Sequence, residues 1–208
     1  MSGPSATVGI VDYQAGNIRS ITNALEHLGA RVVRVRVPAD GDTATHLLLP
    51  GVGAFGFCAA RLRTSGLLPF VEDWIFARKR PALGICVGMQ LLADSSDEMG
   101  LQPGLGFMGG EVRRLHSNEP SVRVPHVGWN AASFCEGFGD FTSGESADFY
   151  FDHSYAYRTP TYGHVLATCR HGETFCAALR RDNLVAAQFH PEKSQGAGMR
   201  FLNAFMAM

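Results

Sequence analysis

Pro81-Ala82-Leu83-Gly84-Ile85-Cys86-Val87-Gly88-Met89-Gln90 is the stretch on which the fold turns. Pro81–Ile85 is a short apolar run of the kind that makes a buried strand, and it leads straight into a helical signal near Met89–Ala93. A cysteine sits in the turn between them, with Gly84 and Gly88 two residues to either side. A nucleophile elbow uses the same spacing, because a strained strand-to-helix turn leaves no room for a flanking Cβ. A thiol placed there also faces free N–H groups and the positive end of the helix dipole. Two readings of Cys86 stand side by side at this point: a nucleophile, or a buried structural cysteine beside an ordinary turn.

Working outward, the rest of the first half repeats the strand-then-helix pattern. Thr7–Tyr13 reads as a buried strand. Asn17 is placed to N-cap a helix over Ile18–Leu28, and Gly29 follows where a C′ glycine belongs. Arg31–Val37 alternates Val33, Val35 and Val37 against Arg34 and Arg36, the pattern of a half-exposed strand. His46–Leu49 is a short apolar strand and Leu67–Arg78 a helix. Near-continuous apolar strands alternating with helices predict an α/β layered fold with a largely parallel sheet.

The second half is richer in strands: Glu111–Leu115, Val122–Val127, Phe149–Tyr157, Val165–Cys169, Thr174–Leu179 and Leu184–His190. Turns at Tyr162-Gly163 and Asp182-Asn183 predict antiparallel hairpins beside the parallel core. A last helix covers Gly198–Ala207 with Met199, Leu202 and Phe205 inward. No boundary signal divides the chain, so residues 1–208 are expected to form one domain, with 1–6 a flexible tail.

Composition narrows the function classes. The chain has 208 residues, and 18 Lys+Arg against 19 Asp+Glu leave a formal net charge of -1. That balance gives no electrostatic case for nucleic acid or an anionic membrane as a partner. No stretch approaches the roughly 18 uninterrupted apolar residues of a membrane span. Met1–Thr7 does not read as the start of a secretory signal. The five cysteines are an odd number without CxxC or His-Cys metal spacing, so a reduced, cytoplasmic setting is expected and no metal. Four of the five are expected to be small core residues.

Ligands of parallel sheets bind at the carboxyl ends of the strands, and three Gly-containing segments follow predicted strands: Asp12–Asn17, Pro50–Gly56 and Gly84–Gln90. The end of the chain adds a base. The strand Leu184–His190 stops at Pro191, and Glu192 follows; residues two apart in an extended segment face the same way. His190 is then placed to take the thiol proton, with Glu192 to fix its tautomer.

GICVGMQ (84–90) together with QFHPEKS (188–194) resembles the class I, triad-type glutamine amidotransferases. Leu49–Phe55 (LPGVGAF), Pro125–Asn130 (PHVGWN) and His153-Ser154-Tyr155 are similar to the glutaminase subunits of the imidazole glycerol phosphate synthase branch. Val11-Asp12-Tyr13, Gly16-Asn17 and Pro103–Phe107 (PGLGF) fit the same branch. The resemblance spans nearly the whole chain. A glutaminase serving another synthase shares the GxCxGxQ elbow, but PGVGAF and PHVGWN argue against it.

The resemblance implies a flavodoxin-like fold: a mixed, mostly parallel central sheet with flanking helices and an antiparallel extension. It implies that Cys86 attacks the side-chain amide of glutamine to give a glutamyl thioester and ammonia, with Cys86, His190 and Glu192 as the triad. The Val87 and Val52 N–H groups would form the oxyanion hole, the latter after a peptide flip. Gly53, Gln90, His153, Ser154 and Tyr155 would hold the glutamine head group. Asn17, Trp129, Asn130 and Lys193 would lie toward a partner, a (βα)8-barrel cyclase subunit. That partner would receive the ammonia and make imidazole glycerol phosphate and aminoimidazole carboxamide ribotide (AICAR) in histidine biosynthesis. No cofactor is implied. Two positions depart from the family pattern: Gln14 stands where glycine is usual, and Asp152 where an apolar residue is usual. If position 14 needs φ > 0, either Gln14 carries strain or the loop differs.

Overall fold

The computed structural model describes residues 6–117, 119–120 and 122–208. Its first half alternates strand and helix: β1 (Thr7–Val11), α1 (Ile18–His27), β2 (Arg31–Val35), β3 (His46–Leu49), α2 (Phe55–Thr64), α3 (Leu68–Glu72), β4 (Ala82–Ile85) and α4 (Val87–Gln90). Next come two short strands, β5 (Ser95–Ser96) and β6 (Gln102–Pro103), and then β7 (Glu111–Arg114), β8 (His126–Phe134), β9 (Ser146–His153), β10 (Tyr155–Arg158), β11 (Val165–His171), β12 (Glu173–Arg181) and β13 (Leu184–Ala187). Helix α5 (Gln195–Met206) closes the chain. The expected tail falls outside the described residues except for Ala6.

One nine-stranded sheet runs β2-β1-β3-β4-β13-β12-β11-β8-β9. From β2 to β13 neighbouring strands are parallel, and from β13 to β9 they are antiparallel. This is the predicted parallel core with its antiparallel extension. A second, four-stranded sheet, β10-β7-β5-β6, was not predicted. Strands β3, β4 and β13 are buried along their whole length, as strands covered on both faces must be. Helix α1 presents Ile21, Ala24 and Leu25 to the core, and the Asn17 side chain caps it by accepting from Ser20 N. Gly29 follows with φ +84.

Several expectations need correction. Helix α2 was not predicted: only Phe55 and Gly56 fell in the segment Pro50–Gly56, and Phe55, Cys58, Ala59 and Leu62 are the buried face of the helix. The strand expected over Val122–Val127 begins only at His126 and runs to Phe134; its outward residues include the exposed Val127 and Trp129, which hide the period of two. Phe149–Tyr157 is not one strand but two, β9 and β10, parted at Ser154 and assigned to different sheets. For the same reason Tyr162-Gly163 is no hairpin turn, since β10 and β11 belong to different sheets, whereas Asp182-Asn183 does join the antiparallel pair β12 and β13. The expected helix Leu67–Arg78 is α3 continued by a wider π turn over Asp73–Ala77, with Trp74 wholly buried and its Nε1 donating to Pro81 O at 3.0 Å. Strand β2 stops before Val37, which is exposed. Cys135 is exposed and Cys176 half-buried, so two of the four expected core cysteines are not fully buried.

Candidate active site

Strands β1, β3, β4 and β13 all point their carboxyl ends at one cavity of about 450 Å³. The three predicted glycine segments and the His190 turn therefore converge there, as the sheet topology requires. Cys86, the pivot between β4 and α4, has φ +54 and ψ −112, a conformation that L-residues adopt at a cost of about 1–3 kcal/mol. Its neighbours hold it there. Cys86 N donates to Ala187 O at 2.7 Å, and a Cβ on Gly88 would lie 2.0 Å from Leu49 O. Helix α4 is a single turn, so the charge facing the sulfur comes from His190 rather than from a helix dipole.

His190 follows β13 and is nine-tenths buried or more. Its Nδ1 pairs with Glu192 Oε1 at 2.9 Å, and it lines the same cavity as Cys86. Burial opposes the charged imidazole, yet the contacts to Cys86 and Glu192 outweigh it and push the pKa up to about 10. Phe189, between the two site-facing residues of this segment, turns to the other face and stacks on Phe149 with ring centroids 3.9 Å apart. That stack, with His190 N donating to Tyr150 O at 2.9 Å, ties the segment carrying His190 to β9.

The other predicted residues fall as follows. Val52, Gly53, Val87, Gln90, His153, Ser154, Tyr155, Asn17 and Lys193 all line the cavity. The Val87 N–H has no hydrogen-bond partner among the described residues, which leaves it available to an oxyanion. Val52 turns its carbonyl to the Cys58 thiol at 3.5 Å, and Gly53 has φ +108. Gln90 is buried, and its Nε2 donates to Tyr155 O at 2.9 Å. Trp129 stands outside the cavity, half-exposed and edge-on to Tyr150, whose ring lies under the Lys193 ammonium at 5.3 Å. Asn130 is turned inward, with Nδ2 bonded to His126 Nε2 at 3.1 Å and Arg170 O at 2.9 Å.

That last contact ends a chain whose protons can be placed. Tyr155 O only accepts, so His153 Nδ1 carries the proton at 2.9 Å. His153 Nε2 must then accept from His126 Nδ1 at 3.0 Å, and His126 Nε2 from Asn130. Burial first, and then the neighbouring histidines, push His126 down to about 3. Burial likewise holds His153 at about 4. Both are neutral at physiological pH. His126, Gln188 and Glu98 were not singled out in the sequence, yet each touches this site or its support. Glu98 lines the cavity, and its Oε2 accepts from Phe55 N at 2.7 Å at the start of α2.

A pH dependence of stability follows. His190 has a folded pKa above the unfolded value of about 6.5, so its contribution is complete below that pH and is lost as pH rises toward 10. His126 and His153 have folded values below it, so acidification favours the unfolded chain and stability falls from about pH 6.5 downward. Calorimetric melting followed from acid to alkaline pH should therefore peak near neutrality. A melting temperature still climbing below pH 6 would show that the two histidines are not held neutral.

The two departures are also located. Gln14 has φ +65, so the strain foreseen for it is present, and its Oε1 accepts from the Arg61 guanidinium on α2. Asp152 is exposed and lines the cavity beside His153. No group of three or more His, Cys, Asp or Glu among the described residues is arranged to hold a metal ion. No described helix is long and apolar enough to cross a membrane.

An α/β sheet with a strained cysteine elbow and a buried His–Glu pair at its carboxyl edge defines a thiol-dependent amide-cleaving class of protein. The model of the family "Glutamine amidotransferase class-I" matches residues 9–208, and the chain belongs to that family. It is similar to the imidazole glycerol phosphate synthase subunit HisH of Zymomonas mobilis, 44% identical over 207 residues that cover 97% of this chain and 96% of that protein. It is also similar to the longer imidazole glycerol phosphate synthase hisHF of Emericella nidulans, at 42% identity over 96% of this chain and 38% of that one. Among solved structures, a glutamine amidotransferase crystal structure superposes with a TM-score of 0.74 at 24% identity, covering 96% of this chain and 97% of that chain.

Proposed function

We propose that this chain is the glutaminase half of an imidazole glycerol phosphate synthase, hydrolysing glutamine and handing the ammonia to a (βα)8-barrel cyclase subunit in histidine biosynthesis. The observation that carries it is the Cys86–His190–Glu192 constellation at the cavity floor, in a chain so similar along its length to HisH. The hisHF relative, in which a segment like this one is part of a longer chain, supports a partner joined to it. The whole of 1–208 acts as one domain in this reading, and its setting is the cytoplasm.

In this reading the residues take the following roles. Cys86 Sγ attacks the glutamine Cδ as the thiolate, its proton already held by His190, and the oxyanion is received by the Val87 N–H and, after a peptide flip, the Val52 N–H. His190 returns the proton to the amide nitrogen, the C–N bond breaks and ammonia leaves. Water, deprotonated by His190, then opens the thioester to release glutamate and the sulfur. Glu192 keeps the imidazole in register. With Gln90 Nε2 committed to the protein, its Oε1 faces the substrate ammonium, and the backbone of His153–Tyr155 takes the carboxylate. Asn17, Trp129 and Lys193 form the rim toward the barrel.

Glutamate release by the chain alone, then with the barrel subunit and its nucleotide ligand, tests this reading. Low activity that rises sharply with both is expected. High activity unmoved by the barrel would make it a free hydrolase, and no activity in either case would make it a binding module. Asp152 gives a finer check. A carboxylate at the rim repels the substrate carboxylate by less than about 1 kcal/mol through water. Asp152→Asn should therefore lower KM for glutamine a few-fold with kcat and melting temperature unchanged; an unaltered KM would put Asp152 in bulk solvent.

A further inference from the structure

We propose that Gln188 acts directly on the nucleophile: its Nε2 donates a hydrogen bond to Cys86 Sγ, while its Oε1 sets the amide of Gln90 with the acceptor toward the cavity. The orientation of both amides is forced. Tyr155 O can only accept, so the Gln90 atom 2.9 Å from it is the nitrogen. The second proton of that nitrogen points at Gln188, 3.0 Å away, where only an oxygen can receive it. The remaining Gln188 atom, Nε2, then lies 3.7 Å from Cys86 Sγ, within reach of a hydrogen bond to sulfur. Flipping Gln188 sets N–H against N–H, and flipping Gln90 sets its oxygen against two acceptor oxygens. Gln188 is wholly buried and Gln90 3% exposed, so neither amide has water as an alternative partner.

The strand explains how the residue arrives there. Gln188 N is tied to Ala177 O at 2.8 Å, and Gln188 and His190 are two apart in an extended segment, so both face the sulfur while Phe189 faces away. One segment thus brings the imidazolium of His190 and a neutral N–H donor toward the same atom. A donor on sulfur favours the states in which sulfur carries charge: the thiolate that attacks, and the thiolate that leaves when water opens the thioester. This rests on the glutaminase reading for the role of Gln90, though not for the contact to Cys86.

Two near-isosteric substitutions separate the halves of the proposal. Gln188→Met removes both contacts. Gln188→Glu keeps an acceptor for Gln90 and puts a carboxyl oxygen against the sulfur. The pH midpoint of iodoacetamide alkylation at Cys86, read by mass spectrometry of its peptide, should rise by about one unit in both variants. The titratable groups coupled to that sulfur are His190, Tyr13 and Cys58, and all stay in place. In complex with the barrel subunit, kcat should fall about ten-fold in both, a loss near 1.4 kcal/mol, and KM for glutamine should rise ten-fold in Gln188→Met alone. Unchanged midpoints and an unchanged KM, with only a lower melting temperature, would reduce Gln188 to a buried polar support and overturn the proposal. If Gln188→Met does not fold, Gln188→Glu still reads the sulfur contact. In the unsubstituted protein, the Gln188 side-chain amide signal should move with the alkylation midpoint, and a static signal overturns the proposal as well. Alkylation needs neither glutamine nor partner, so its outcome stands even if the barrel assignment fails.

Discussion

Cys86→Ala should lower glutamate release by about 10⁵-fold or more, the scale on which losing a single triad nucleophile acts. Binding of the barrel partner should be retained, because Cys86 is 5% exposed, whereas Trp129 and Lys193, proposed to face the partner, are exposed. Loss of partner binding instead would mean that the elbow is chiefly structural. A companion substitution tests the strain. At φ +54 alanine is as ill-suited as cysteine, whereas glycine is at ease. Cys86→Gly should be just as inactive and yet melt above Cys86→Ala. The reverse order would remove the claim that backbone strain is stored at the nucleophile.

Gly88→Ala is expected to have the largest effect on stability, about 3 kcal/mol or more, or to prevent folding. Its Cβ would sit 2.0 Å from Leu49 O and 2.9 Å from Leu49 C. Those are backbone atoms at the end of β3, in the buried parallel core, with no flexible side chain to swing aside. Gly196→Ala is the control: nothing lies within 4 Å of its Cβ, and its φ is ordinary. Inside α5 that change should stabilise by up to about 1 kcal/mol. Equal denaturant midpoints for the two variants, measured in parallel titrations, would refute the close-approach account of the elbow.

The elbow was legible because it is local: Gly84, Cys86 and Gly88 declare a tight turn. His190 and Glu192 do pair, but through a 3₁₀ turn over Pro191–Lys193 rather than through the extended segment expected, since Pro191 starts that turn. For residue 14 the sequence left two outcomes, strain at positive φ or a different loop, and the structure has the first, with φ +65. Helix α2 was hidden by Gly53 and Gly56, whose turn signal masked the buried face of Phe55, Cys58, Ala59 and Leu62. Strand β8 was blurred because Val127 and Trp129 are apolar and exposed. Gln188 and His126 could not be found in one dimension, since each is defined by a contact across the fold: Gln188 to Cys86, and His126 to His153. Their residue types alone say nothing about protons that a distant carbonyl has fixed.

Ser154 marks the point where the chain leaves one sheet for the other, and both strands there are edges: β9 ends the nine-stranded sheet and β10 ends the four-stranded one. The segment that would grip the glutamine head group therefore crosses a seam. Parting that seam disrupts no interior strand pair, so it belongs to the low-energy end of the molecule's local openings. Amide hydrogens around 153–155 should exchange well before those of β4 and β13, and a bound glutamine should slow them first. Substrate entry then resembles the parting of two hems more than the swing of a lid.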